Sequence, residues 1–239
     1  MTFTTYDIPP NRPEVSVAVA SEASDFLSYV VPGRPASSAA KRLIDVVGAF
    51  CGLVMLFPVL LLIAVLIRLD SRGPILFRQK RIGLGGQEFW CLKFRTMVSD
   101  AEARLRDLEA RNESAGGVLF KIKDDPRITP LGRLLRRTSL DEFPQLWNVL
   151  QGEMSLVGPR PLQIRDSEKL EQLDSNGYAR RLTVLPGVSG PWQVGGRSNT
   201  DSNRMLKLDL EYVEQWSIAT DLAILFKTVV VVLAGRGAC

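Results

Sequence analysis

The feature that most constrains this chain is one long apolar segment, residues 46–67, with the sequence VVGAFCGLVMLFPVLLLIAVLI. Its 22 residues carry no charge. As an α-helix, which rises ~1.5 Å per residue, the segment extends about 33 Å and matches a bilayer core of ~30 Å. Because the core of a globular protein rarely holds an uncharged run of this length, the segment predicts a helix inserted into a membrane.

The path of this helix depends on a proline near its centre and on the charges at its ends. Pro58 removes one helical hydrogen bond and bends the chain. Basic residues lie on both flanks, and the positive-inside rule places both flanks on the cytoplasmic side. We therefore predict that residues 41–72 form a re-entrant membrane helix broken at Pro58; a kinked helix that spans the bilayer is the alternative. The flanking residues are Lys41, Arg42, Arg68, Arg72, Arg78, Lys80 and Arg81.

The composition excludes several kinds of catalytic site. The chain of 239 residues has no histidine, which rules out a Ser–His–Asp triad, a Cys–His pair and zinc or haem held by histidine. Its three cysteines, Cys51, Cys91 and Cys239, are too far apart in sequence for a CxxC motif. Any catalysis must therefore use carboxylates, lysine, arginine, hydroxyl groups or a metal ion bound by oxygen.

The charge is nearly balanced overall but unevenly distributed. Thirty Lys and Arg side chains against 26 Asp and Glu give a formal net charge of +4. Between residues 68 and 95 seven basic side chains accompany two acidic ones, and between residues 121 and 137 the numbers are six and two. Such basic blocks suit the phosphates of nucleotides, nucleic acids or lipids, and a solvated basic surface is the simpler explanation.

The rest of the chain predicts an α+β fold that is mostly helical. Residues 1–40 contain five prolines and no sustained periodicity, which predicts a disordered lead. Residues 73–239 form the predicted cytosolic α/β catalytic domain, in which strands at 75–77 and 88–95 make a short hairpin through a turn at 82–86. Helices are predicted at 99–111, 128–137, 143–150, 167–173, 178–185, 203–215 and 222–234. The last of these is too short to span a bilayer, so it is either an interfacial amphipathic helix that associates with the membrane or a buried element.

The most informative stretch, residues 136–161, contains two adjacent carboxylates. Asp141 and Glu142 follow a cluster of arginines and precede Pro144. A capping box, with Ser139 as N-cap and Glu142 at the third helical position, explains the pair structurally. In that register Pro144 interrupts the helical hydrogen bonds, so we favour a kink or a delayed helix start that projects both carboxylates from an irregular backbone. Spacing alone leaves both the structural and the functional interpretation open.

Cationic side chains around these carboxylates are candidates for binding phosphate. Arg160 lies on a proline-framed turn, which suits bidentate contact with a phosphate, although an ordinary loop with a surface ion pair is the alternative. Lys93 and Arg95 alternate along the second predicted strand and therefore share one of its faces. Arg136 adjoins the carboxylate pair, and Arg197 follows two glycines, which is a weaker signal.

Four segments of the chain together carry a family resemblance. They are residues 41–68, KFRTM at 93–97, TSLDEFPQLWNVLQGEMSLVGPRP at 138–161 and PGVSGPWQVGGR at 186–197. In this order they resemble the bacterial sugar transferases, the monotopic phosphoglycosyl transferases that prime polysaccharide and glycan assembly. The resemblance runs from about residue 41 to the C-terminus, and several long motifs in the right order make it highly specific.

The resemblance implies a reaction that needs no histidine. Members of the family transfer a sugar 1-phosphate, here expected to be a hexose 1-phosphate, from a UDP-sugar to undecaprenyl phosphate and release UMP, which begins exopolysaccharide repeat-unit assembly. Asp141 would attack the sugar-linked phosphorus and form a phosphosugar–aspartyl intermediate, and Glu142 would hold Mg²⁺. An Asp carboxylate of ordinary pKa is already ionised at neutral pH. Phosphoryl transfer mainly needs alignment and charge neutralisation, which Mg²⁺ and arginines supply.

Other positions that match the family motifs have less specific roles. Asp221 falls on an acidic position whose role stays open between support of the site and structure. Pro58 falls on the proline where the re-entrant helix of the family breaks, although Phe57 replaces the serine that small members often have. The implied location is the cytoplasmic face of the bacterial inner membrane, among membrane lipids, and a homodimer is left open. The residues assigned to substrate binding are Lys93, Arg95, Arg136, Arg160, Arg197 and Asp221.

Two other functions fit parts of the sequence. The apolar helix and the basic blocks alone suit a non-enzymatic, lipid-binding scaffold of a polysaccharide assembly complex. Residues 128–143, ITPLGRLLRRTSLDEF, loosely resemble a helix–turn–helix, but the modest net charge and the preceding membrane segment argue against it. We therefore expect no nucleic-acid partner. By likeness to exopolysaccharide-type members, the expected sugar is glucose or galactose.

Overall fold

The structure, a computed structural model, describes residues 38–101, 103–104, 122, 125–195 and 202–233. Several predictions lie partly or wholly outside these residues, among them the disordered lead at 1–40, the helix at 99–111, the substrate contact of Arg197 and the end of the helix at 222–234. Where the second of these begins, the described residues form turns, and the Arg104 amide donates to the Asp100 carbonyl at 3.2 Å.

The predicted membrane helix is present as α1, Ala39–Asp70, which is 32 residues long. It begins where the Ser38 hydroxyl accepts a hydrogen bond from the Lys41 amide, and it is long and apolar enough to cross a membrane. The helix continues through Pro58 with helical backbone on both sides, so the predicted break there is not seen. The re-entrant path therefore stays a prediction. Most side chains between residues 54 and 62 are exposed, as expected of a helix that faces lipid.

A two-stranded antiparallel hairpin follows α1, as predicted. β1, Leu76–Ile82, pairs along its whole length with β2, Glu88–Phe94. β1 is longer than the predicted strand at 75–77. Its sequence is mostly polar, and Arg78 and Lys80 are exposed on one face, so alternation rather than apolar content marks the strand.

The remaining helices lie close to their predicted positions, except for a four-residue helix at Pro191–Val194 that was not predicted. The starts of two of them have local causes. α2 begins after Thr129, whose hydroxyl accepts the Gly132 amide at 2.9 Å. α5 begins earlier than predicted because the Asp174 carboxylate accepts the Gly177 amide at 2.8 Å. These helices are α2, Pro130–Thr138; α3, Gln145–Gln151; α4, Ile164–Leu173; α5, Ser175–Arg181; α6, Pro191–Val194; α7, Ser202–Glu214; and α8, Ile218–Leu233.

A second, parallel pair of strands was not predicted. β3, Ser155–Val157, pairs with β4, Gly187–Ser189, and each has only three residues. A strand this short gives no measurable alternation of apolar and polar residues. The pairing requires glycine, because a Cβ atom on Gly187 would lie 2.1 Å from the Gly158 amide nitrogen.

Both halves of α1 pack against the domain that follows it. The N-terminal half contributes Ala49 to a cluster with β2 and α3, and the C-terminal half contributes Ile63 and Ile67 to a cluster with β2 and α2. The buried members of the first cluster are Ala49, Phe89, Cys91, Leu146, Val149 and Met154. Those of the second are Ile63, Ile67, Phe94 and Leu135. A third cluster joins α4, α5, α6 and α7 through Leu162, Leu170, Tyr178, Trp192, Met205 and Leu206.

The last helix, α8, has one buried and one exposed face. Asp221 and Ile224 are buried, whereas Leu222, Phe226 and Val230 are exposed. The exposed side chains recur at intervals of four residues and so form one apolar stripe. The described helix therefore has the amphipathic pattern expected of a segment that lies at a membrane surface.

Candidate active site

The two adjacent carboxylates lie on an irregular turn between α2 and α3. Ser139 ends α2 with a backbone φ of 56°, the left-handed conformation that non-glycine residues seldom adopt. A 3₁₀ turn, Leu140–Glu142, follows, and α3 starts only after Pro144. The delayed helix start that Pro144 predicts is therefore present, and the Ser139 side chain does not cap this turn.

Glu142 forms two ion pairs, and its partners lie on distant parts of the chain. Lys93 Nζ on β2 lies 2.7 Å from Glu142 Oε1, and Arg160 Nη2, on the turn after β3, lies 3.0 Å from the same oxygen. Burial raises the pKa of Glu142, but Arg160 and Lys93 outweigh this effect and hold its pKa below the usual range. Glu142 is therefore ionised at any physiological pH.

Asp141 is buried and has no hydrogen-bond partner among the described residues. Its exposed fraction is 8%, and no described residue donates a hydrogen bond to its carboxylate. Burial raises the pKa of Asp141 to about 6; Lys93 opposes this rise, and the charge of neighbouring Glu142 adds to it. At neutral pH the carboxylate is mostly ionised, with both oxygens available to another reactant.

Arg160 is held in place by its own turn. The Gly158 amide donates to the Ser189 carbonyl at 2.9 Å, which ties the turn to β4. The Arg160 guanidinium also lies over the indole ring of Trp192, 5.7 Å from the ring centroid. The cation that pairs with Glu142 is therefore fixed by backbone and aromatic contacts together.

Arg136 lies near the carboxylate pair, as predicted. Its Nε donates to the Thr96 hydroxyl at 2.9 Å, and burial lowers its pKa, which Asp141 partly offsets. The charge of Arg136 in turn lowers the pKa of Asp141. Its position on α2 thus adds positive charge beside the site.

Arg95 and Asp221 contact other parts of the protein. The Arg95 guanidinium donates to the carbonyls of Ser71 at 2.7 Å and Ile67 at 3.4 Å, at the end of α1. Asp221 accepts hydrogen bonds from Lys41 Nζ at 2.7 Å, the Tyr212 hydroxyl at 2.8 Å and Trp216 Nε1 at 3.1 Å. Neither has a contact with Asp141 or Glu142 among the described residues, so their substrate-binding roles stay predictions.

Sequence reasoning missed three residues that surround Arg160. Arg81, Arg181 and Trp192 are all buried, at 8%, 3% and 7% exposed. In the sequence, Arg81 and Arg181 cannot be distinguished from surface arginines, because no neighbouring pattern indicates that either side chain is buried. Trp192 lies within the PGVSGPWQVGGR motif, so the motif could have pointed to it.

The oxygen donors of this site fit a magnesium ion. Within the described part of the chain there is no group of three or more acidic or other metal-ligating side chains. Mg²⁺ in phosphoryl-transfer sites commonly takes one or two carboxylates and completes its shell with water and substrate phosphates. Asp141, and the Glu142 oxygen that faces neither Lys93 nor Arg160, supply that donor set.

Comparison with known proteins identifies a family for this chain. The family model of the bacterial sugar transferases matches residues 36–235. The galactosyl transferase CpsE of Streptococcus agalactiae is 44% identical over 83% of this chain and 43% of CpsE. The exopolysaccharide production protein ExoY of Sinorhizobium fredii is 40% identical over 85% of this chain and 90% of ExoY. The undecaprenyl-phosphate glucose phosphotransferase of Komagataeibacter xylinus is 41% identical over 85% of this chain and 38% of that protein.

The region of similarity includes the whole candidate site. The chain spans less than half the length of CpsE and of the glucose phosphotransferase, and most of the length of ExoY. The matched residues contain α1, the hairpin, the Asp141–Glu142 turn and the Arg160 turn. This chain therefore belongs to the bacterial sugar transferase family.

Proposed function

We propose that this protein is a membrane-bound phosphoglycosyl transferase that moves a hexose 1-phosphate from a UDP-sugar to undecaprenyl phosphate. The observation that carries the proposal is the pair of carboxylates with unlike surroundings. Asp141 is buried and accepts no hydrogen bond from any described residue, whereas Glu142 is held by Lys93 and Arg160. One carboxylate is thus free to react, and the other is fixed.

In the first half-reaction Asp141 is the nucleophile. One carboxylate oxygen attacks the phosphorus that carries the sugar, a phosphosugar–aspartyl bond forms, and the bond from that phosphorus to the oxygen of UMP breaks. UMP leaves with the bonding electrons. No general base is required because Asp141, with a pKa of about 6, is mostly ionised at neutral pH.

Cationic side chains neutralise the diphosphate during this step. Lys93 and Arg160 lie within 3.0 Å of Glu142, and Arg136 is close enough to lower the pKa of Asp141. Glu142, together with Asp141 before it reacts, would hold Mg²⁺, which supplies further positive charge to the phosphates. Arg197 is a further proposed phosphate contact from the matched motif.

In the second half-reaction undecaprenyl phosphate takes the sugar phosphate from Asp141. A phosphate oxygen of the lipid attacks the same phosphorus, the bond to Asp141 breaks, and the carboxylate is regenerated. The names of relatives that act on galactose and on glucose support a hexose as the sugar. The relative named for undecaprenyl phosphate supports the lipid acceptor, and ExoY supports a place in exopolysaccharide production.

The two ends of α1 support a re-entrant path at the cytoplasmic face of the inner membrane. At its start, Lys41 pairs with Asp221 at 2.7 Å, and after its end the Ser71 carbonyl accepts Arg95 at 2.7 Å. Both partners belong to the same domain, whose loops and short strands need polar surroundings and so stay outside the hydrocarbon. A helix that spanned the bilayer would carry one of these ends to the opposite side. We therefore propose that both ends lie on one side, with the residues around Pro58 in the bilayer.

The assay that tests the proposed function is release of UMP by purified protein in detergent or nanodiscs. We expect repeated turnover of UDP-glucose or UDP-galactose to UMP only with undecaprenyl phosphate and Mg²⁺ present. Without the lipid, UMP release should stop at one molecule per enzyme, and Asp141→Asn should release none. Glu88→Gln is the matched control, since Glu88 forms an exposed ion pair with Lys80 on the hairpin. Binding to lipid vesicles without metal-dependent UMP release would instead favour a non-enzymatic scaffold.

A further inference from the structure

The turn that carries Arg160 has four consecutive carbonyl groups, residues 159–162, each bonded to a different donor. At one end, the Gly187 amide on β4 donates to the Pro159 carbonyl at 2.9 Å. At the other end, the Ile82 amide on β1 donates to the Leu162 carbonyl at 3.0 Å. Continuous bonding of this kind leaves the backbone of the turn little freedom to move.

Two buried guanidinium groups bond the middle pair of carbonyls. Arg81 on β1 donates to the Pro161 carbonyl at 2.9 Å, and Arg181 at the end of α5 donates to the carbonyl of Arg160 itself. Both arginines are more than nine-tenths buried. A buried cation needs partners of this kind, and its hydrogen bonds are stronger than those between neutral groups.

Arg181 is in turn fixed by a carboxylate on another helix. Its Nε lies 2.8 Å from Asp209 Oδ2 on α7, and the two side chains are 3% and 0% exposed. One guanidinium therefore bridges a buried carboxylate and the backbone of the residue that pairs with Glu142. The bridge needs the fork of donors that arginine has, because the single ammonium group of lysine cannot reach two acceptors in the same way.

We propose that Arg181, held by Asp209, is a positioning residue that sets the Arg160 guanidinium against Glu142. The inference rests on the proposed function, in which Arg160 neutralises the phosphates of the substrate. It gives the α5–α7 pair of helices a role in catalysis, although neither helix carries a residue that touches the reacting atoms. Arg181 acts only through the carbonyl of Arg160.

The same two helices provide a matched control. Arg180, the preceding residue on α5, forms an ion pair with Glu214 on α7, and these side chains are 45% and 50% exposed. This pair joins α5 to α7 as the Arg181–Asp209 pair does, but it has no contact with the turn of Arg160. If an ion pair mattered only because it joins α5 to α7, disrupting either pair would therefore have the same effect on activity.

The test is a double-mutant cycle on UMP release, with turnover expressed per folded molecule. We expect Arg181→Lys to lower kcat by about 10- to 100-fold, the loss typical of a misplaced catalytic group, and to change KM for the UDP-sugar less than kcat. In an Arg160→Ala background, Arg181→Lys should have no further effect on kcat. Arg180→Gln should leave kcat within about two-fold of the wild type.

Asp209→Asn provides a second route to the same test if Arg181→Lys does not fold. Asparagine keeps the volume of Asp209 but weakens its hold on Arg181, so the same cycle with Arg160→Ala applies. Losses that multiply in the double variants, or Arg181→Lys and Asp209→Asn both retaining wild-type kcat, would overturn the positioning role.

Amide hydrogen exchange separates this proposal from the proposed function, because it needs no turnover. We expect Arg181→Lys to speed exchange at the Gly187 and Ile82 amides, which bond the two ends of the turn, while Arg180→Gln leaves them unchanged. Unchanged exchange at both amides in Arg181→Lys would contradict the positioning role even in a fully active enzyme. If the wild type releases no UMP, the proposed function fails while exchange still decides whether Arg181 holds the turn.

Discussion

Two regions of this protein place buried carboxylates beside a lysine, and they differ in how completely the carboxylates are bonded. At the start of α1, both oxygens of Asp221 accept hydrogen bonds, Oδ2 from Lys41 and Trp216 and Oδ1 from Tyr212. Burial raises the pKa of Tyr212, and Asp221 raises it further, so its hydroxyl stays a neutral donor. Such complete bonding is typical of a structural network.

At the Asp141–Glu142 turn, the described residues donate hydrogen bonds to only one of the two carboxylates. Glu142 Oε1 accepts from Lys93 and Arg160, whereas Asp141 accepts from none of the described residues. A buried carboxylate without hydrogen bonds weakens the fold, and such strained groups are found at functional sites. The comparison teaches that hydrogen bonding, rather than burial or charge, distinguishes the proposed nucleophile Asp141 from Asp221.

The largest effect we expect is the loss of activity in Asp141→Asn. Removing a nucleophile should lower kcat by at least about 10³-fold. The Tm at neutral pH should be unchanged or higher, because no hydrogen bond is lost and a buried charge is removed. UMP release and a thermal melt of the same preparation measure both quantities. A drop in Tm large enough to explain the lost activity would place Asp141 with the structural carboxylates.

Asp221→Asn should have the opposite profile. It leaves Lys41 buried with only Asp45, 3.8 Å away, as a nearby carboxylate among the described residues. Removing one partner of a buried ion pair costs about 3 kcal/mol. We expect a lower Tm and a kcat per folded molecule within a few-fold of the wild type. A selective loss of kcat without a change in Tm would assign Asp221 to the substrate instead.

The pH dependence should report the raised pKa of Asp141. Protonation removes the proposed nucleophile, so at limiting Mg²⁺, where the free enzyme carries no metal, kcat/KM for the UDP-sugar should fall as the pH drops below about 6. Lys93→Met should move this acid limb to higher pH, because the Lys93 charge lowers the pKa of Asp141. Because bound Mg²⁺ would itself lower the pKa of Asp141, its burial is tested in the metal-free protein, where a pKa near the ordinary value of 3.8 would contradict it.

The same shift predicts how stability varies with pH. A carboxyl group whose pKa is higher in the folded than in the unfolded state favours folding only while it is protonated. The contribution of Asp141 to stability therefore falls as the pH rises from about 4 through about 6. Urea unfolding of wild type and Asp141→Asn over this range should converge at the acid end. Parallel curves over the whole range would argue against the shift.

The smallest effect concerns a third kind of carboxylate, paired but exposed. Glu214 pairs with Arg180 at the surface, with both side chains about half exposed. Because solvent screens such pairs, Glu214→Gln should change the free energy of unfolding by less than about 1 kcal/mol and leave kcat unchanged. A larger loss of unfolding free energy, measured by thermal melting, would show that exposure does not predict how much an ion pair stabilises this protein.

The sequence predicted the parts of the site that depend on local backbone. Pro144 conflicts with a helix that starts at Ser139, and this conflict alone indicated the irregular turn that holds Asp141 and Glu142. Apolar length and alternation likewise predicted α1 and the hairpin with Lys93. Each of these signals lies within a few residues of the feature it determines.

The parts that could not be predicted depend on contacts between distant residues. Lys93 and Arg95 alternate on the predicted strand at 88–95. Lys93 contacts Glu142, whereas Arg95, just past the end of β2, reaches back to the end of α1. The strand pattern places Lys93 and Arg95 on one face of the strand, but it does not specify which other residues pack against each of them. The bond from Arg181 to the Arg160 carbonyl likewise depends on how α5 packs, which no local pattern specifies.

The central claim, that Asp141 becomes covalently attached to the sugar phosphate, is tested most directly by mass spectrometry without the lipid acceptor. Protein incubated with Mg²⁺ and the UDP-sugar that supports turnover, quenched and digested, should contain one peptide carrying a hexose phosphate, with the modification on Asp141. The adduct should be absent from Asp141→Asn and should disappear when undecaprenyl phosphate is added. An active enzyme with no adduct, or with the adduct on another residue, would contradict the account.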